Sequence, residues 1–231
     1  MLSPASCKIV LLRHGQTDYT DQFPDITSEG KRSLEQAAEL ISEFAKGLRV
    51  KFYSSPKVRT LGSAACLMEV FGLCDVDLIR APHISACEMR CREEVMALVN
   101  RCVSPTNPQA VEEAYWTDER FNDPRIIEPR MQIRERFYEF LDRLIHVGLV
   151  NAVPSCYVVL SHVEVLGHLV QDVQALIDAD INPVIPHATP IFLTVLQEDV
   201  RSPVLIDFEF GRVRTERLDF SRIKPALSCC K

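Results

Sequence analysis

Arg13 and His14 are delivered to one spot by the apolar run Ile9–Leu12, and Gly15 follows at once. Two other apolar runs end in comparable chemistry. "FYSSPKVR" carries Ser55, Pro56 and Arg59, and "VVLSH" carries Ser161 and His162. Two arginines and two histidines suit a phosphoryl group. Guanidinium presents a planar fork of donors to oxyanions. A neutral imidazole can attack phosphorus and hold it covalently. Gly15 is expected to leave room for the phosphoryl group. A lone His or Arg at such a place usually does local work, so the weight rests on three such ends in one chain.

The elements that must position these residues can be read from the pattern. "KIVLL" is a short apolar run of the kind covered on both sheet faces. "TSEGKRSLEQAAELISEFAKG" reads as a helix capped by Thr27 or Ser28. Leu34, Ala37, Ala38, Ile41 and Phe44 form its apolar face, and Gly47 stops it. "VKFYSSP" is a second strand, with Ser55 as N-cap and Pro56 at the first helical position of the next helix. "VDLIRAP" reads as a third strand. "EPRMQIRERFYEFLDRLIHVG" is an amphipathic helix, "SCYVVLSH" a strand and "VEVLGHLVQDVQALID" a helix. "IFLTVL" and "PVLIDFEF" close the sheet. Strands alternating with helices predict an α/β fold, with a mostly parallel central sheet and helices on both faces. In such sheets ligands sit beyond the carboxyl ends of the strands. That rule brings Arg13, His14, Arg59 and His162 to one pocket.

Residues 1–231 read as one domain. An irregular insertion at about 93–129, marked by "SPTNPQ" and "FNDPR", lies over the site. Its arginines, with Arg90 and Arg92 just before it, either contact a second anionic group on the substrate or pair with neighbouring acids on a solvated face. Leu144–Val163 lacks Asp, Glu, Lys and Arg, but Gly148, Asn151 and Pro154 make it a helix end, a turn and a strand rather than a span.

Composition narrows the class. A 47% hydrophobic and 25% charged chain of 231 residues is an ordinary globular composition. A net charge of -6 speaks against nucleic acid as partner. Nine scattered cysteines, with no charged-then-apolar leader, are expected to be reduced thiols in the cytoplasm. Neither Cys87 with Cys91 nor Cys229 with Cys230 has partner ligands at zinc spacing, so no metal or cofactor is expected. No membrane partner is expected, and a homo-oligomer is left open.

Four pieces, "LLRHGQT", "DITSEGKRSLEQAAEL", "FYSSPKVRTLGSA" and "VVLSHVEVL", resemble in order and spacing the histidine phosphatase superfamily, also called phosphoglycerate mutase-like. The resemblance runs from Lys8 to about Gln174, leaving out the irregular middle. It implies a phosphohistidine intermediate on His14, with Arg13, Arg59 and His162 binding the phosphate. It also implies an acid that protonates the leaving oxygen. Glu88 is the best match in "PHISACEMRCREEV", and Glu93 and Glu94 are its rivals. The substrate implied is a phosphorylated small molecule or a phosphoprotein.

There are departures from the family pattern. Val163 stands where glycine usually follows the second histidine. The "QTDYTDQFPDITSEG" loop is short for a mutase. His187 and Thr189 in "PHATP" stand where an asparagine and a Ser or Thr are frequent, and His187 reads as a turn residue. His83, His146 and His168 read as structural. The activity implied is phosphomonoester hydrolysis. A mutase is the runner-up, and a scaffold that retains the fold is the non-catalytic alternative.

Overall fold

In this computed structural model, which describes residues 5–18, 25–104, 106–179 and 181–224, strand β1 (Ala5–Arg13) is at the centre of the molecule. Side chains alternate along a strand, and both faces of β1 are covered. Val10 and Leu12 join Phe52, Val158 and Leu160 under helices α1 (Ser28–Phe44) and α2 (Val58–Val70). Ile9 and Leu11 join Tyr157 and Val159 on the opposite face, under α5 (Arg130–Val150) and α6 (Val163–Ile177).

Besides β1, the sheet contains β2 (Arg49–Ser54), β3 (Leu78–Arg80), β4 (Ser155–Ser161), β5 (Pro190–Gln197), β6 (Leu205–Phe210) and β7 (Val213–Asp219). Its order is β3-β2-β4-β1-β5-β6-β7. The pairs from β3 to β1 are parallel, and those from β1 to β7 are antiparallel. The expectation of a mostly parallel sheet is therefore corrected to a mixed one. After β5 no helix crosses the sheet, and a chain that returns directly must pair antiparallel. Gly211, at φ 60°, turns β6 into β7.

Helix α1 is capped as read: Thr27 accepts from the Gly30 N–H. For α2 the cap is Lys57, not Ser55. The insertion is more regular than expected. It contains α3 (Arg92–Cys102), α4 (Ala110–Thr117) and a short 3₁₀ turn at Glu119–Asn122. Tyr115 and Trp116 of α4 are buried in the core on the α6 side. A last short helix, α7 (Phe220–Ile223), packs on the same core through both its end residues. No helix among the described residues is long and apolar enough to cross a membrane. The uncharged stretch at 144–163 divides into the end of α5, a turn and β4. Most of the loop after Asp18, and the Cys229–Cys230 pair, lie outside the described residues.

Candidate active site

The parallel strands β1, β2 and β4 end side by side, so residues far apart in sequence meet there. The His14 N–H donates to the Ser161 carbonyl at 3.1 Å, and the Ser55 N–H to the Leu160 carbonyl at 3.0 Å. Arg13, His14, Ser55, Ser161 and His162 are all buried.

His14 has a defined tautomer. Its Nδ1 is 2.8 Å from the Gly15 carbonyl, which can only accept, so Nδ1 carries the proton. Its Nε2 lone pair accepts from Arg59 Nε at 3.1 Å. Burial first, and Arg59 next, hold the His14 pKa well below the ordinary imidazole value. The ring is therefore neutral with Nε2 unprotonated, and its lone pair, held by Arg59, can be handed to an electrophile that Arg59 binds.

Arg13 is fixed on two sides. Nη1 donates to the Ile185 carbonyl and Nη2 to Glu112 Oε1 on α4, each at 2.8 Å. Its Nε is buried without a partner among the described residues. Arg59 is in the first turn of α2, where backbone N–H groups add positive potential. His162 is the N-cap residue of α6, with its ring centroid 5.4 Å from that of His14. His162 Nε2 is 2.8 Å from Ser55 Oγ, and its Nδ1 is buried without a partner among the described residues. Burial, then Arg59 and His14, lower its pKa well below the ordinary value. The hydroxyl of Ser55 thus serves His162 and, more weakly at 3.4 Å, the Lys57 N–H.

A third histidine joins these two. His187 Nδ1 donates to the His14 carbonyl at 3.1 Å, and the two ring centroids are 5.0 Å apart. Burial and then Arg13 bring its pKa down to about 4. The turn reading of His187 was half right: the backbone does turn, with Ala188 at φ 53°, but the ring packs on His14.

Gly15 has a packing reason beyond the one expected. A Cβ there would meet Leu34 Cδ1 at 2.9 Å and the Gly30 carbonyl oxygen at 3.1 Å. Its lack of a side chain lets the loop after β1 lie on the start of α1. The Gly15 N–H donates to Ser63 Oγ, which donates to the Arg59 carbonyl, and this chain ties the His14 loop to α2.

Arg13, His14, Arg59 and His162 are brought together; the three proposed acids lie at the surface. Glu88, Glu93 and Glu94 are exposed. The Glu88 main chain pairs with Glu128, its N–H donating to Glu128 Oε2 at 3.2 Å and its carbonyl accepting from the Glu128 N–H at 2.8 Å. Glu93 and Glu94 open α3. The carboxylate that does reach the site is Glu112, against Arg13; Glu164, two residues after His162, accepts from the Cys87 N–H at 3.3 Å. The clue to Glu112 was its i,i+3 spacing from Tyr115 on a helix face.

The arginines around the insertion pair mostly with their neighbours. Arg120 pairs with Asp118, Arg125 with Asp123, Arg130 with Glu119, Arg134 with Asp172 and Arg136 with Glu128. Arg90 donates to the Pro124 carbonyl and to Gln132. Among the described residues, no group of three or more His, Cys, Asp or Glu could hold a metal ion.

Two guanidinium groups and neutral, buried imidazoles beyond the carboxyl ends of an α/β sheet have the chemistry of an oxyanion site. The chain belongs to the histidine phosphatase superfamily and is an enzyme of that superfamily: the family model for its branch 1 matches residues 9–199. Solved structures share the fold at low identity. A mycobacterial glucosyl-3-phosphoglycerate phosphatase is 18% identical, with a TM-score of 0.59 over 90% of this chain and 100% of its own. Phosphoglycerate mutase from Bacillus anthracis is 12% identical, with a TM-score of 0.60 over 96% of each chain. A putative α-ribazole-5'-P phosphatase from Escherichia coli is 14% identical, with a TM-score of 0.56 over 90% of this chain and 97% of its own. No curated protein matches the sequence.

Proposed function

We propose that this protein hydrolyses phosphomonoesters through a phosphohistidine on His14. One observation carries the reading. His14 is neutral with its proton on Nδ1, so Nε2 is unprotonated and its lone pair, which accepts from Arg59, faces a site flanked by Arg13 and Arg59. Nε2 attacks phosphorus and the ester oxygen departs. Arg13, Arg59 and His162 bind the phosphoryl oxygens, where preorganised donors stabilise the charge of the transition state. Water then releases the phosphate. The phosphorylated small molecules for which two of the similar structures are named support a substrate of that class. A phosphoprotein is the other substrate class, and a cytoplasmic location is consistent with the free thiols among the described cysteines.

The test is to incubate the protein with a ³²P-labelled phosphomonoester, quench in alkali and map the label. An acid-labile adduct on His14, absent in His14→Ala, is expected together with steady release of inorganic phosphate. Label on serine or cysteine would overturn the mechanism. Transfer between phosphoglycerates much faster than phosphate release would make the enzyme a mutase.

A further inference from the structure

We infer that Ser55 sets the tautomer of His162 and so makes that ring a neutral donor for the phosphoryl group. Ser55 is a positioning residue in this role, since it acts through His162. The inference rests on the phosphohistidine reading of His14.

Hydrogen-bond valence is the first argument. Ser55 Oγ is 2.8 Å from His162 Nε2, and both residues are 0% exposed. Buried polar groups are hydrogen-bonded as a rule, and here solvent is no partner. A hydroxyl has one proton and two lone pairs. The Lys57 N–H donates to Ser55 Oγ at 3.4 Å and takes one lone pair. If His162 Nε2 donated as well, the hydroxyl proton would have no acceptor among the described residues. If the hydroxyl donates to Nε2, no polar atom of Ser55 is left over. Burial keeps the ring neutral, and a neutral imidazole has one N–H. Nε2 is then bare and Nδ1 carries the proton.

Rigidity is the second argument. The Ser55 N–H donates to the Leu160 carbonyl of β4 at 3.0 Å. The Ser55 carbonyl accepts from Ser54 Oγ at 2.8 Å and from Thr60 Oγ1 at 2.9 Å. β4 ends at Ser161 and leads directly into His162. The hydroxyl is thus carried by a backbone tied to the very strand that carries the ring.

The consequence falls on the site. His162 Nδ1 and Arg13 Nε are both buried without a partner among the described residues. The His162 ring packs edge-on to that of His14, with centroids 5.4 Å apart, and Arg13 immediately precedes the nucleophile. With the tautomer fixed, both orphaned atoms are donors. Phosphoryl oxygens are acceptors, so an arriving phosphoryl group satisfies both. In the other tautomer Nδ1 would present a lone pair, which an oxyanion cannot use. A carboxylate in place of Ser55 would favour the imidazolium. The hydroxyl fixes a donor without adding a charge.

The first measurement needs no variant of Ser55. Protein labelled with ¹⁵N at histidine is observed by long-range nitrogen–proton correlation at neutral pH, and His162 is assigned from the signals lost in His162→Gln. A protonated Nδ1 and a bare Nε2 are expected. A protonated Nε2, alone or in an imidazolium, would overturn the inference. The second measurement compares Ser55→Ala with Ser55→Thr, each checked for folding by its urea midpoint. Ser55→Ala is expected to lower kcat on p-nitrophenyl phosphate by roughly 10²–10³-fold, the cost of one oxyanion donor. It should also weaken competitive inhibition by inorganic phosphate, and its His162 signals should move toward the other tautomer. Ser55→Thr keeps the hydroxyl and should keep the parent nitrogen pattern and most of the kcat. Unchanged kcat and phosphate inhibition in folded Ser55→Ala, or a loss there with Nδ1 still protonated, would make Ser55 a packing residue and overturn the assignment. If Ser55→Ala does not fold, the spectra of the parent and of Ser55→Thr decide. Absence of label on His14 in the parent would instead overturn the phosphohistidine reading, while the nitrogen pattern, read without turnover, still decides the tautomer.

Discussion

His14 can be a nucleophile only if two neighbours agree on its tautomer, and they do: the Gly15 carbonyl accepts the Nδ1 proton while Arg59 donates to Nε2. The same cooperation holds Arg13. The residue is only 3% exposed, and two partners fix the plane of its guanidinium, the Ile185 carbonyl and Glu112. Glu112 acts through Arg13 as a positioning residue. Glu112→Ala should lower kcat/KM by about 10–100-fold, since a misplacement of about 1 Å at a clamp can cost 10²-fold. Glu112→Gln keeps an acceptor oxygen and should recover much of the loss. A gain in activity on Glu112→Ala would mean instead that the carboxylate competes with substrate for Arg13. At this scale the sequence told a partial story. Arg13, His14, Arg59 and His162 were legible because each follows an apolar run. Glu112 was not, because its partner is 99 residues away and only folding joins them. His187 was misread because "PHATP" has turn chemistry and gives no sign of what the ring will touch.

Among the elements, the loop after β1 and the start of α1 approach backbone to backbone. A Cβ on Gly30 would come 2.5 Å from the Gln16 carbonyl oxygen and 2.8 Å from its nitrogen. Gly30→Ala must push α1 away from the loop that carries His14 and Gly15. Overpacking of this kind costs about 1–3 kcal/mol, so the urea midpoint should fall. The kcat/KM should fall too, because the Gly15 carbonyl orients the nucleophile. Unchanged values of both would show that the loop yields freely. Elements with strong periodicity and caps, such as α1, α5 and α6, were legible. So were the apolar strands covered on both faces. Strand direction was not, since an apolar run reads alike in either sense; β5 to β7 therefore came out antiparallel. β7, "VRTERLD", is an edge strand whose residues are mostly polar and partly exposed, so it lacked an apolar signature. The two short insertion helices were hidden by breakers at 104–109.

Taken over the whole molecule, four imidazoles are held neutral by burial: His14, His162, His168 and His187. His168 is 5% exposed and lies edge-on to Trp116, with centroids 5.0 Å apart. Unfolded, each ring titrates near 6.5; folded, His187 titrates at about 4 and His168 at about 3. Between these limits the unfolded chain binds more protons, so acid favours unfolding. The stabilisation is complete above about pH 6.5 and is lost progressively as pH falls toward the folded values. Each ring adds up to about 1.4 kcal/mol per pH unit to that slope. His168→Phe isolates one of them, because it keeps an aromatic ring against Trp116 and removes the titration. Urea unfolding between pH 6.5 and pH 5, above the range of ordinary carboxylates, should show a shallower loss in His168→Phe than in the parent protein, by up to about 1.4 kcal/mol per pH unit. Near pH 7.5 the two stabilities should lie much closer than at pH 5. Parallel profiles across that window would show that His168 takes up no proton on unfolding, and the acid sensitivity would then belong to the three imidazoles of the site.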